Sequence, residues 1–119
     1  MNRDAAYLDH ILECVTRIEG YIGDDPTRIT SEPIVEDAVM RNLQIIAEST
    51  KRLSKELKER YQEIPWDQIK GLRNALVHDY LNVTHGVIVE ILSDDLPVLK
   101  RVVQKMREDF DPNLFTSLG

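Results

Sequence analysis

Apolar residues recur along this chain at three- and four-residue steps, the spacing of one helix face rather than the alternation of a strand. In residues 4–22 the stripe is Tyr7, Ile11, Cys14, Val15, Ile18 and Ile22, and Gly23-Asp24-Asp25-Pro26 then breaks it. A longer stripe follows through Val35, Val39, Leu43, Ile46, Thr50, Leu53 and Leu57, fading around Arg60. Ser31 suits its N-cap, Pro33 its first turn, and Glu32, Glu36 and Asp37 the positive end of its dipole. Its length and spacing predict antiparallel packing against the first helix.

Glu63-Ile64-Pro65 ends that element, and residues 66–77 predict a third helix with Trp66, Ile69, Leu72, Ala75 and Leu76 facing inward. Thr84 can cap a segment from Gly86 to Leu92. Asp94 or Asp95 then caps a last helix that tolerates Pro97 in its first turn and carries Leu99, Val102, Val103 and Met106. The tail, 110–119, is expected to fray, with Phe110 and Phe115 able to dock. No strand pattern or repeat appears. The expected fold is a single all-α domain over residues 1–119, an antiparallel up-and-down bundle of four to five helices.

Composition narrows the function. With 42% hydrophobic and 30% charged residues, the chain reads as an ordinary folded protein with a modest core. Its one cysteine, Cys14, excludes an intramolecular disulfide and any multi-cysteine metal site, and reads as a small buried hydrophobe. No stretch approaches the roughly 20 apolar residues that cross a bilayer, and the N-terminus lacks a signal-peptide core. The reading is a soluble protein of the reducing cytoplasm. Net charge is −6, all of it attributable to residues 1–37, so bulk electrostatics do not favour a polyanion. One run departs from this: Lys51 to Arg60 holds five basic and two acidic side chains, a pattern read first as a solvated helix face.

Candidate chemistry concentrates in Arg73-Asn74-Ala75-Leu76-Val77-His78-Asp79-Tyr80. Cleavage of RNA by its own 2′-hydroxyl needs a base for that hydroxyl, an acid for the leaving 5′-oxygen and a cation for the phosphorane. An imidazole serves as base or acid near neutral pH. A guanidinium stays charged and matches phosphate oxygens as a fork. Asn74 can donate to phosphate or orient the imidazole, and it shares a face with His78 four residues on. Arg73 and His78 lie about 140° apart on a continuous helix, so they converge only if the helix ends near Val77 or a second subunit supplies the partner. Without further information, the same residues also fit a helix end: His78 complementing the dipole and Arg73 paired with Asp67, Asp79 or a Glu of a neighbouring helix.

The Arg-x4-His-x-Tyr spacing, its lead-in Trp66-Asp67-Gln68-Ile69-Lys70-Gly71-Leu72 and the later Asp94-Asp95-Leu96-Pro97 resemble HEPN-domain toxins. The likeness is to the HepT-like branch, paired with a minimal nucleotidyltransferase antitoxin of the MntA type. The resemblance implies a HEPN-like helical bundle and a metal-independent ribonuclease. It places Arg73 and His78 as catalytic residues of a composite site across a homodimer, and makes Tyr80 the residue that receives AMP from the partner. Ion and ATP chemistry belong to that partner, so the chain itself is expected to need no cofactor or metal. Lys70, with Arg73 and either Arg41 or the 51–60 run, would supply a local basic rim for RNA. Two other readings stay open: a non-catalytic scaffold for the nucleotidyltransferase, and a plain dimerisation module.

The remaining histidines carry less. His10 flanks the first stripe, and His85 sits at a helix start, where capping or solvent exposure accounts for it. His78, Asp79 and His85 lack the spacing and the further ligands of a zinc site.

Overall fold

Helix α1, Asn2–Ile22, buries Leu8, Ile11, Cys14, Val15, Ile18 and Ile22 on one face. Tyr7, expected inward, is only half-buried, and Leu8 takes its place in the core. Gly23 ends the helix at φ 58°, a left-handed conformation open to glycine at little cost, and its N–H donates to the Glu19 carbonyl at 2.9 Å. The computed structural model of the chain describes residues 2–110, so the expected frayed segment beyond Phe110, with Phe115, lies outside it.

The second stripe folds as more elements than its periodicity implies. A one-turn helix α2, Arg28–Ser31, precedes α3, Pro33–Arg52, and the N-cap position of α3 is Glu32 rather than Ser31, which still belongs to α2. The chain then leaves the helix at Leu53 and Ser54, both extended, before α4, Lys55–Glu59. Val39, Leu43, Ile46, Thr50, Leu53 and Leu57 are buried all the same, because both segments face one core. Asp4 of α1 sets the break. Its buried carboxylate accepts the Ser54 N–H at 2.9 Å and the Ser54 hydroxyl at 2.7 Å, while Ser54 Oγ accepts the Leu57 N–H at 3.2 Å. The carboxylate, the serine and the first turn of α4 thereby satisfy each other's polar groups where water is scarce.

Helix α5, Trp66–His78, buries Leu76 and half-buries Trp66, Ile69, Leu72 and Ala75 against α3. The Trp66 indole N–H lies between the carbonyls of Lys58 at 3.1 Å and Tyr61 at 3.2 Å, which folds the 60–65 connection back onto the ring. A 3₁₀ turn, Tyr80–Asn82, leads to α6, His85–Glu90, capped by the Thr84 side chain as expected. No cap follows at Asp94 or Asp95. The chain stays helical through one π turn, Ile91–Asp95, directly into α7, Leu96–Phe110. Pro97 gives the physical reason: it lacks an N–H for the carbonyl four residues back, and a widened turn makes room for its ring.

Helix α1 lies between α3 and α7, and α5 lies along α3. Cross-links fix the directions: Asp4 meets Ser54, Lys100 pairs with Glu19 at 2.9 Å, and Arg107 pairs with Asp9 at 2.7 Å. Leu99, Val102, Val103 and Met106 of α7 fill the core as predicted. The result is an all-α antiparallel bundle with no strand among the described residues. Cys14 is fully buried, and burial pushes its thiol up, away from reactivity. Among the described residues no helix is long and apolar enough to cross a membrane.

The bundle is open along one seam. A groove of about 670 Å3 separates α5 from the α6–α7 segment, floored by Leu43, Ile46 and Ala47 of α3. Val87 (48% exposed) and Val98 (38%) stand on its wall, and Val77 and Leu81 are exposed nearby in sequence.

Candidate functional site on helix α5

Because α5 continues to His78, Arg73 and His78 share one unbroken helix and do not converge within a single chain. Arg73 is on the edge of the stripe that faces α3 and is partly buried there. His78, the last helical residue, is exposed, and its imidazole makes no hydrogen bond within the described residues. Asn74 links the two faces: its Oδ1 accepts from Arg73 Nη1 at 3.3 Å, and it stands one turn before His78.

Arg73 is under-used. Its Nε lies 3.8 Å from Glu48 Oε1, close enough to feel the carboxylate but too far to hydrogen-bond, and this buried N–H has no other acceptor. Glu48 is the neighbouring-helix acid that the sequence could suggest in kind but not name. A guanidinium with one long side-chain hydrogen bond and one stranded N–H retains its capacity for an oxyanion.

Tyr80 opens the turn after the motif and is 42% exposed. The turn is held by Asp79, whose carboxylate accepts from the Asn82 amide at 2.6 Å and whose N–H reaches the Ala75 carbonyl at 2.8 Å. Partial burial, with Glu36 and then Asp37 adding, raises the Tyr80 phenol, so it stays protonated. Those acids start α3, whereas Glu48, against Arg73, lies twelve residues further along, about 18 Å at 1.5 Å per residue. Tyr80 and Arg73 of one chain therefore serve different ends of α5. His85, at the start of α6, pairs through Nε2 with the Glu36 carboxylate and ties the motif's far side to α3. His10 is exposed.

A second concavity, of about 930 Å3, lies on the other flank of α5 and is lined by Lys70, Arg73 and Asn74 together with residues from the end of α3 and from α4. Arg41 of the expected rim is not part of its lining, but three lysines of the 51–60 run are. Among the described residues no group of three or more His, Cys, Asp or Glu side chains is arranged to hold a metal ion.

The Ribonuclease HepT-like family model matches residues 11–106, most of the chain and all of the motif. The chain belongs to the HepT-like ribonuclease family. It is 35% identical over 107 residues to a candidate RNase of Caldanaerobacter subterraneus subsp. tengcongensis, covering 89% of this chain and 96% of that protein. It is 32% identical over 107 residues to the probable ribonuclease HepT of Thermococcus cleftensis, covering 86% and 94%. A gamma-glutamylcyclotransferase and candidate RNase of Methanocaldococcus jannaschii is 38% identical over 109 residues, and here the match spans 90% of this chain but about half, 49%, of that relative. No solved structure matches. Family membership makes the open, all-α bundle HEPN-like, as the motif implied, and ribonuclease chemistry the frame in which Arg73 and His78 are read.

Proposed function

We propose that this HepT-like chain is the toxin of a toxin–antitoxin pair, a metal-independent endoribonuclease whose site is completed across a homodimer. The observation that carries the reading is the under-bonded Arg73 guanidinium on the same helix as the free, exposed His78, facing a different direction. In this reading a second copy packs along the open apolar groove, which Gly71, Leu72 and Ala75 line from α5, so that the ends of two α5 helices meet and supply one imidazole for each proton transfer. One His78 accepts the proton of the RNA 2′-hydroxyl as that oxygen attacks phosphorus. Arg73 holds the phosphorane oxygens, and Asn74 steadies the guanidinium. The P–O5′ bond breaks as the other His78 protonates the 5′-oxygen, leaving a 2′,3′-cyclic phosphate and a 5′-hydroxyl. Lys70 contacts the substrate backbone beside Arg73.

Tyr80 is the control point in this reading. Its exposed phenol oxygen attacks the α-phosphorus of ATP held by a cognate minimal nucleotidyltransferase, pyrophosphate leaves, and the phenol proton passes to solvent or to a base on that partner. The added phosphate is repelled by Glu36 and Asp37 of its own chain, which favours an approach to the Arg73 of the second copy, where RNA would bind. Co-production with the nucleotidyltransferase is expected to add the mass of AMP and silence cleavage in the wild type. In Tyr80→Phe it should do neither. Silencing of Tyr80→Phe at full strength would remove Tyr80 from the mechanism.

The activity itself is tested in excess EDTA, with protein shown by intact mass to carry no AMP, on total tRNA and on an mRNA transcript. His78→Ala protein purified in parallel serves as the control for adventitious nuclease. Cleavage that resists EDTA and yields 5′-hydroxyl ends is the expected result. Unmodified wild type that cuts neither RNA would make the chain a scaffold for the nucleotidyltransferase.

A further inference from the structure

The chain is acidic, yet the lining of the concavity beside Arg73 gathers Lys51, Lys55, Lys58, Lys70 and Arg73 with Glu59 and Asp67, while Glu48 lies 3.8 Å from Arg73 and Asp4 acts on Lys58 from outside that lining. These cations come from three elements: the end of α3, α4 and α5. Their convergence is a product of the fold, not of a single solvated helix face. Asp4, by holding Ser54 and hence the start of α4, places Lys55 and Lys58 there. Lys58 is half-buried, with its ammonium 6.0 Å from the centre of the Trp66 ring. The indole is itself fixed by its two carbonyl contacts and forms a rigid wall.

Within this cleft the positive charges are poorly compensated. The nearest acid to Lys55 is Glu59, at 3.9 Å with both side chains largely exposed, a pairing of little strength. Burial lowers the Lys58 ammonium, Asp4 opposes that shift, and Lys70 adds to it as a like charge. At the inner end Arg73 contributes a guanidinium whose Nε makes no hydrogen bond and has Glu48 at 3.8 Å. Facing ammonium groups beside an underused guanidinium form a site that gains from a bound polyanion, since each phosphate relieves repulsion and releases counterions.

We propose that the cleft between the end of α3, α4 and the first two-thirds of α5 is the track for the RNA backbone flanking the scissile phosphate. Lys55, Lys58 and Lys70 are its phosphate contacts and Trp66 is its wall. This deepens the ribonuclease reading and rests on it. The strand runs from His78, at the end of α5, past Arg73 and Lys70 towards α4. A substrate must therefore be single-stranded for several nucleotides to one side of the cut, because a duplex does not follow a cleft bounded by a fixed indole.

The test uses the full chain, free of AMP, and a fluorescent single-stranded RNA made uncleavable by 2′-O-methylation, with binding read by anisotropy across a salt series. In Lys55→Gln/Lys58→Gln, affinity is expected to fall on the order of tenfold at low salt. The slope of log affinity against log salt should flatten by about 0.7 for each lost contact. Lys55→Gln/Lys70→Gln, both exposed, should behave alike and guards against a folding defect at the half-buried Lys58. Arg101→Gln/Lys105→Gln, exposed on α7 away from the cleft, removes equal charge and should leave the slope unchanged. Equal losses in all three variants, or no loss in the cleft variants, would overturn the track. Wild type that binds through the cleft but cuts no RNA would keep the track and remove the ribonuclease.

Discussion

RNA cleavage by His78→Ala is expected to fall about 10²- to 10⁴-fold, the range that a positioned proton-transfer group contributes, with little change in stability. The two halves of that expectation come from one observation. His78 is the terminal residue of α5 and exposed, and its imidazole makes no hydrogen bond within the described residues, so its removal strands no partner and opens no cavity. Alanine keeps the helix, and the loss is confined to the imidazole's interaction with the helix dipole, about 0.3–1 kcal/mol when the ring is charged. Arg73→Lys makes a useful companion. It keeps the charge beside Glu48 but loses the planar fork, so cleavage drops while the α3–α5 contact survives. Activity measured under single-turnover conditions and thermal unfolding of the same samples separate chemistry from folding. Wild-type activity in His78→Ala would assign the cleavage to another group or to a contaminant.

Most of the bundle is legible in its apolar spacing, because burying a stripe depends on periodicity alone. Ile11, Cys14, Val15 and Ile18 on α1, and Val102, Val103 and Met106 on α7, are each buried where the three- and four-residue steps put them. The errors fall where a distant residue decides. The break at Leu53–Ser54 leaves no gap in the stripe, and it is the Asp4 carboxylate, fifty positions away, that makes it. The uncapped passage into α7 reflects a competition between Asp94 or Asp95 as caps and a π turn that absorbs Pro97, and sequence does not rank the two. At the candidate site, residue types and spacing pointed to Arg73, Asn74 and His78, and the Asn74–Arg73 contact exists. Glu48 against Arg73, Glu36 against His85 and the gathering of α4 lysines beside α5 are tertiary facts with no local signal. The 51–60 run reads from sequence first as a solvated helix face, and it is the fold that turns part of it towards Lys70.

The other large effect concerns the groove. If two copies complete the site, a charge placed in the groove should dissociate them and abolish cleavage without unfolding either chain. Val87 is the position to use. It is 48% exposed on the groove wall of one chain, on α6, where glutamate is compatible with the helix. In the separate chain its side chain meets water and costs little. Between two apolar groove walls, an unpaired carboxylate loses its hydration with no counter-charge, a penalty of several kcal/mol that appears on both sides of a two-fold interface. Val87→Glu is thus expected to raise the dimer dissociation constant by at least about 100-fold, since each 1.4 kcal/mol is a factor of ten. Light scattering should report monomers with unchanged helical content. Cleavage should vanish at low concentration and return, with a second-power dependence, as concentration rises. A wild type that is monomeric and cleaves in linear proportion to its concentration would show that Arg73 and His78 need no second copy. Val87→Glu that remains dimeric and active would move the interface off this groove, and with it the explanation for why α5 and α7 stand apart.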